Sequence, residues 1–299
     1  MDLLHHLTAG VKSFATEMCY VGLDEMRQAC GGAGFLLTSG ISDQWSDIAP
    51  FPTFEGVNPV MAQQSSRFIF KNARRVDKGQ QPDKLFSYLA KTEELIASKS
   101  SATTVAEFQT LDHIERTLAV RAAQSVKNVR ELINASKASK KEQENEIFAL
   151  DIGRMTRLHL IYVTFKMARE RLESTQFRDL AVKSILELGI KIFALKQLSL
   201  DYQTLYECGY FSKGSGRLLD LAYRGILEEL RPQMIPIVES FPESYEFAPS
   251  TIGNKYGDIY ELQFETAKNS RLNDGVVPSL YETHMKPVMN FRRPQVPKL

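Results

Sequence analysis

Two short segments carry residue types that could do chemistry. In Thr53-Phe54-Glu55-Gly56-Val57-Asn58, a carboxylate stands between an aromatic residue and a glycine, just before a predicted helix. Desolvation against an aromatic, largely apolar wall disfavours a charged carboxylate and strengthens it as a base, as removing a proton from carbon near neutral pH requires. Glu55 is therefore expected in a dry pocket. The same position also suits a helix-start carboxylate favoured by the dipole. In Arg27-Gln28-Ala29-Cys30-Gly31-Gly32-Ala33-Gly34-Phe35, glycines follow a helical pattern. Such glycines let backbone N–H groups approach a pyrophosphate closely. They serve equally as the C-terminal cap of a helix.

Other chemistries find little support in the residues. The histidines His5, His6, His113, His159 and His284 form no HExxH motif and no i, i+4 set with carboxylates, so surface or packing roles and no metal site are expected. There is no GxSxG and no GxxxxGK[ST]; Lys213-Gly214-Ser215-Gly216 reads as a turn and cap. Cys19, Cys30 and Cys208 are an odd, widely spaced set, which suggests a reducing compartment rather than a disulfide framework. With 37 basic and 36 acidic residues the net charge is +1, so no bulk attraction to nucleic acid or an anionic membrane is expected. The 43% hydrophobic content excludes disorder as the main description. No apolar run of about 18 residues predicts a membrane span, and Met1-Asp2-Leu3-Leu4-His5-His6 does not look like a secretory signal.

The elements that must position the two segments read as helices. Leu4, Leu7, Val11, Phe14, Met18 and Val21 recur at helical steps. The glycines from Gly31 end that pattern, and the stretch to Pro59 reads as loop. A second helix is expected to start near Pro59 and run through Arg67 and Lys71. Further long elements are expected over about 105–133, 147–172, 177–200 and 217–230. The run Ser136–Glu142 reads as an exposed helix end or loop, and the tail from Phe241 as irregular backbone. Strand alternation is nearly absent. The expected fold class is all-α, with long antiparallel helices joined by short connections.

Taken together, the two segments resemble the acyl-CoA oxidase and dehydrogenase superfamily, and the peroxisomal acyl-CoA oxidases in particular. The Gly-Gly segment precedes the glutamate by 55 − 32 = 23 positions. Gln64, Arg67, Phe68 and Lys71 follow the glutamate as in the oxidases, and Ile252-Gly253-Asn254-Lys255-Tyr256-Gly257-Asp258-Ile259-Tyr260-Glu261 is similar to a late oxidase motif. The chain departs from the family pattern at Ala33, Phe35, Val57 and Pro59. The resemblance covers essentially the whole chain but only the C-terminal half of such an oxidase. It implies two packed helical bundles: residues 1–80 as the catalytic bundle portion with the Gly-Gly loop and glutamate base, and 81–299 as the oxidase C-terminal helical domain with an irregular tail.

The activity implied by the resemblance is FAD-dependent α,β-dehydrogenation of a fatty acyl-CoA to the trans-2-enoyl-CoA, with molecular oxygen reduced to hydrogen peroxide. Glu55 would remove the α-proton, and its own backbone N–H would help to polarise the thioester carbonyl. Gln28, Gly31 and Gly32 would touch the adenosine-diphosphate part of FAD, often that of a neighbouring subunit, so a homodimer is implied. An alternative is an incomplete oxidase that acts as a helical interaction partner of a full-length one. The terminal Pro297-Lys298-Leu299 is similar to the Ser-Lys-Leu peroxisomal address, with the cytoplasm as the alternative location.

Overall fold

The protein is described here by a computed structural model, which covers residues 3–241, 250–254, 257–277 and 280–290. The described residues contain no strand, in keeping with an all-α class. Two compact units are present: Met1–Gly22 with Ile48–Ser240, and Leu23–Asp47 with Phe241–Leu299. Helix α1 (Leu3–Ala29) contributes to both; α2 is Ile41–Ile48 and α3 is Asn58–Asp77. The other long helices are α4 (Leu111–Ala135), α5 (Ala149–Ser174), α6 (Leu180–Leu200), α7 (Ser215–Leu230) and α8 (Ile259–Lys268).

The first unit is built around α5. This helix packs against α3, α4 and α6, and α6 packs against α7. Residues on most of the faces of α5 are buried, among them Ile152, Met155, Leu158, Ile161 and Phe165. A helix buried over so much of its circumference belongs at the centre of a domain, with its neighbours packed around it. On α1, Phe14 reaches the core and Leu7 and Met18 pack against it, but Leu4, Val11 and Val21 stay exposed. The apolar stripe expected on this helix is thus only partly covered.

Helix starts follow local side-chain chemistry. Pro59 lies in the first turn of α3, where its missing N–H costs nothing. Asp179 caps α6 by accepting from Ala181 N–H, and α3 ends before Gly79. The element expected over 105–133 is broken in two. Thr104 and Glu107 form a capping box on a short helix, Val105–Phe108, and the Thr110 hydroxyl then accepts from His113 N–H to start α4. Ser139 likewise caps a helical turn inside the polar run 136–142.

In the second unit a 3-10 turn, Gly31–Phe35, follows α1 directly. Gly34 is required by close approach: a Cβ there would lie 2.0 Å from the Arg27 carbonyl oxygen. The stretch expected to be loop contains α2, whose approach is fixed by the Ser42 hydroxyl near the carbonyls of Phe35 and Leu36. The tail expected to be irregular contains α8, because Asp258 accepts hydrogen bonds from Tyr260 and Glu261 N–H and caps it. Thr251 N–H donates to Thr38 O at 2.8 Å and ties the tail to the glycine-rich segment within this unit. Lys255 and Tyr256 of the late motif, and Pro297-Lys298-Leu299, lie outside the described residues.

Candidate active site

Glu55 lies at the end of a tight turn between Phe51 and α3. Thr53 and Phe54 N–H both donate to Pro50 O at 2.9 Å, and Asn58 N–H donates to Pro52 O at 2.9 Å. Glu55 has φ 55°, the one non-glycine residue with positive φ among those described, and Gly56 follows at φ 99°. For an L-residue this backbone costs about 1–2 kcal/mol, so it persists only where the surroundings impose it.

Helix α1 imposes it. The Lys12 ammonium donates to Gly56 O at 2.6 Å and to Asn58 Oδ1 at 3.0 Å. Asn58 Nδ2 donates to the Thr16 hydroxyl at 3.0 Å, and the Ser13 hydroxyl donates to Asn58 O at 3.0 Å. Asn58 is buried and has all its polar groups in use. A hydrogen bond from a charged donor returns about 1.5 kcal/mol or more, enough to offset the left-handed backbone.

The expectation of a dry pocket around Glu55 is corrected. Glu55 is exposed, and so are Phe51, Phe54, Val57 and Val60 beside it. Phe51 and Phe54 stack on each other, with ring centroids 4.9 Å apart, and thereby form an open apolar patch instead of a wall over the carboxylate. The Glu55 N–H makes no hydrogen bond within the described residues. What the turn presents is therefore a carboxylate and a backbone donor from one residue, surrounded by uncovered apolar surface.

In the second unit, Gly31 has φ 59° at the end of α1, as a C-terminal cap requires, and both Gly31 and Gly32 are exposed. A Cβ at either would meet no atom within 4 Å, so their backbone is open to a ligand. Gln28 is also exposed and uses its amide to donate to Asp24 Oδ2 at 2.8 Å. Arg27 donates to Asp24 Oδ1 at 2.6 Å and lies over the Trp45 ring. These two partners, Arg27 first, hold the Asp24 carboxyl below the usual carboxylate range.

Three residues of the Glu55 turn escape sequence reasoning: Lys12, Ser13 and Thr16. A Lys–Thr pair four residues apart on a helix reads as a solvated face, and its partner Asn58 is distant in sequence. A cleft of about 580 Å³ opens beside this clamp, lined by Ser13, Asn58, Ala62, Arg154, Arg157 and Asp201, but Glu55 does not line it. Its charges are already paired: Arg154 donates to both Asp201 carboxylate oxygens, and Arg157 to Glu17. Among the described residues no helix is long and apolar enough to cross a membrane.

Comparison with known proteins gives this arrangement a context. The family model for the acyl-CoA oxidase C-alpha1 domain matches residues 1–70, and that for acyl-CoA oxidase matches residues 110–290. Peroxisomal acyl-coenzyme A oxidase 1 of Mus musculus is 31% identical over 297 residues, which is 96% of this chain and 44% of the mouse protein. The acyl-CoA oxidase of Lycopersicon esculentum (tomato) superposes with a TM-score of 0.89 at 24% identity, covering 96% of this chain and 43% of that one. Acyl-CoA oxidase-2 of Caenorhabditis elegans, solved with FAD, ascaroside-CoA and ATP, gives a TM-score of 0.80 at 26% identity over 96% of this chain and 42% of its own. The chain thus spans less than half the length of these relatives. On the family matches, which take in the Glu55 turn at one end and most of the long helices at the other, the chain belongs to the acyl-CoA oxidase family.

Proposed function

We propose that this chain provides the base for FAD-dependent α,β-dehydrogenation of a fatty acyl-CoA. The observation that carries the reading is the clamped turn that holds Glu55 at φ 55° with its carboxylate exposed. The Glu55 carboxylate takes the proton from the carbon next to the thioester carbonyl. The Glu55 N–H donates to that carbonyl oxygen and stabilises the charge that develops there. As the α C–H bond breaks, its electron pair forms the α,β double bond and the β-hydrogen departs as hydride. Bound FAD would supply the hydride acceptor, with molecular oxygen as the terminal oxidant and hydrogen peroxide as its product. Gln28, Gly31 and Gly32 would contact the adenosine-diphosphate portion of the FAD of a neighbouring subunit; the open backbone at the two glycines fits the close approach of a pyrophosphate.

The exposed Phe51, Phe54, Val57 and Val60 support a site that is finished by an acyl chain and by further polypeptide. A carboxylate acts as a strong base towards carbon only once water is excluded. The family matches over 1–70 and 110–290 support assigning residues 1–80 to the catalytic bundle portion and 81–299 to the oxidase C-terminal helical domain, working as a homodimer or paired with a full-length oxidase. The exposure of Glu55 favours one second reading, in which the chain on its own is a helical partner without turnover. The peroxisomal names of its relatives support a peroxisomal location.

The test is Glu55→Gln in flavin-loaded enzyme. Peroxide formation from a fatty acyl-CoA should fall by about 1,000-fold, while the bound flavin spectrum stays unchanged. Retained turnover would remove Glu55 from the base role.

A further inference from the structure

We infer that Lys12 is the positioning residue of the Glu55 turn, an assignment that rests on the reading of Glu55 as the base. The ends of the turn are closed by its own backbone: Phe54 N–H on Pro50 O and Asn58 N–H on Pro52 O. The residues between are held differently. Apart from Met61 N–H of α3, which donates to Val57 O, the Lys12 ammonium makes the one hydrogen bond from another element to the segment 53–57 among the described residues, at the Gly56 carbonyl. That carbonyl belongs to the residue immediately after Glu55.

The same ammonium holds Asn58 Oδ1, so a single group ties the turn interior to the first turn of α3. Asn58 is in turn locked to Thr16 and Ser13, which lie on α1 with Lys12. Lys12 forms no ion pair with a carboxylate among the described residues, so its hydrogen bonds are spent on the turn. Both groups that the chemistry needs, the carboxylate and the N–H, come from Glu55 alone. Rotation of that one left-handed residue misplaces both at once. A device that fixes the neighbouring carbonyl fixes this rotation, and it does so from a helix that carries no reacting group.

The experiment compares wild type with Lys12→Met and Lys12→Arg. In the 299-residue chain, amide hydrogen exchange over 53–58 should speed up at least about 10-fold in Lys12→Met. Exchange in α5 should stay unchanged, and Lys12→Arg, which keeps charge and donors, should restore most of the protection. In flavin-loaded enzyme, Lys12→Met should lower kcat about 10- to 100-fold with KM changed far less. Unaltered exchange over 53–58 in Lys12→Met overturns the proposal, and so does loosened exchange with unaltered kcat. If Lys12→Met does not fold, Lys12→Gln is judged by the same two measurements. Turnover that survives Glu55→Gln overturns the base assignment alone, and the exchange result then still decides whether Lys12 holds the turn.

Discussion

His6 and His159 meet Nε2 to Nε2 at 3.2 Å, both fully buried, in the middle of a polar chain that crosses the core. One end of the chain sets the direction of every proton. His6 Nδ1 faces both the Ser65 carbonyl and the Ser65 hydroxyl at 2.9 Å; the hydroxyl donates its proton to His6 O at 3.1 Å, and a carbonyl can only accept. His6 Nδ1–H therefore donates, His159 Nε2–H donates to His6 Nε2, and the Tyr88 hydroxyl donates to His159 Nδ1 at 2.9 Å. The chain joins α1, α3, α5 and the 3-10 segment Lys84–Lys91 with neutral groups throughout. The aromatic rings of Phe68, Phe86 and Tyr162 pack around it.

Acid should break this chain. Burial pushes His159 well below its usual value of 6.5, with the neighbouring His6 adding to the effect. Burial also lowers His6, against the opposing pull of the Ser65 hydrogen bond. The native state thus binds fewer protons than the unfolded chain once the pH drops below about 6.5. The stability contribution is fully present above that pH and is lost as pH falls through the lowered native values. Calorimetry from about pH 7.5 to 5.5 should give a Tm decrease of about 2 °C or more, and a smaller one in His159→Gln. Equal decreases in the two proteins would assign the acid sensitivity elsewhere.

Gly56→Ala should destabilise the Glu55 turn by about 1–2 kcal/mol in urea unfolding. The new methyl group would lie 2.6 Å from Met61 Sδ, but the end of a methionine can move aside. The φ of 99° cannot be relieved in the same way. Adding Met61→Ala should accordingly recover little of the loss; full recovery would identify crowding, not the backbone, as the cause.

Arg121→Ala should cost about 3 kcal/mol or more, since each buried acceptor left without a donor costs about 1–3 kcal/mol. Arg121 is 0% exposed, and its Nη1 donates at 2.7 Å to both Gln197 O and Asp201 O, closing the end of α6 onto α4. Burial lowers its guanidinium to about 10, with partial compensation from Asp201, so it remains charged at neutral pH. Chemical denaturation with a loss below about 1 kcal/mol would mean that other donors, or water, replace it.

The helical class, the break at Gly31, the start of α3 near Pro59 and the two candidate segments were all legible in the sequence. Periodicity, caps and glycine are local signals, and they suffice wherever neighbouring residues decide the backbone. They failed where short side chains compete with a longer pattern. Thr110 splits the element expected over 105–133, and Asp258 builds a helix where the composition reads as irregular.

Only the tertiary structure decided what surrounds Glu55. A motif states that a carboxylate follows a phenylalanine, but exposure depends on which surfaces pack over it. In this chain Phe51 and Phe54 take each other as partners and leave the carboxylate open. The clamp from Lys12 to Gly56 and Asn58, and the proton chain from His6 to Tyr88, likewise join residues 44 to 153 positions apart. Hydrogen bonds over such separations leave no period or spacing in a single sequence, because they are created when the helices pack.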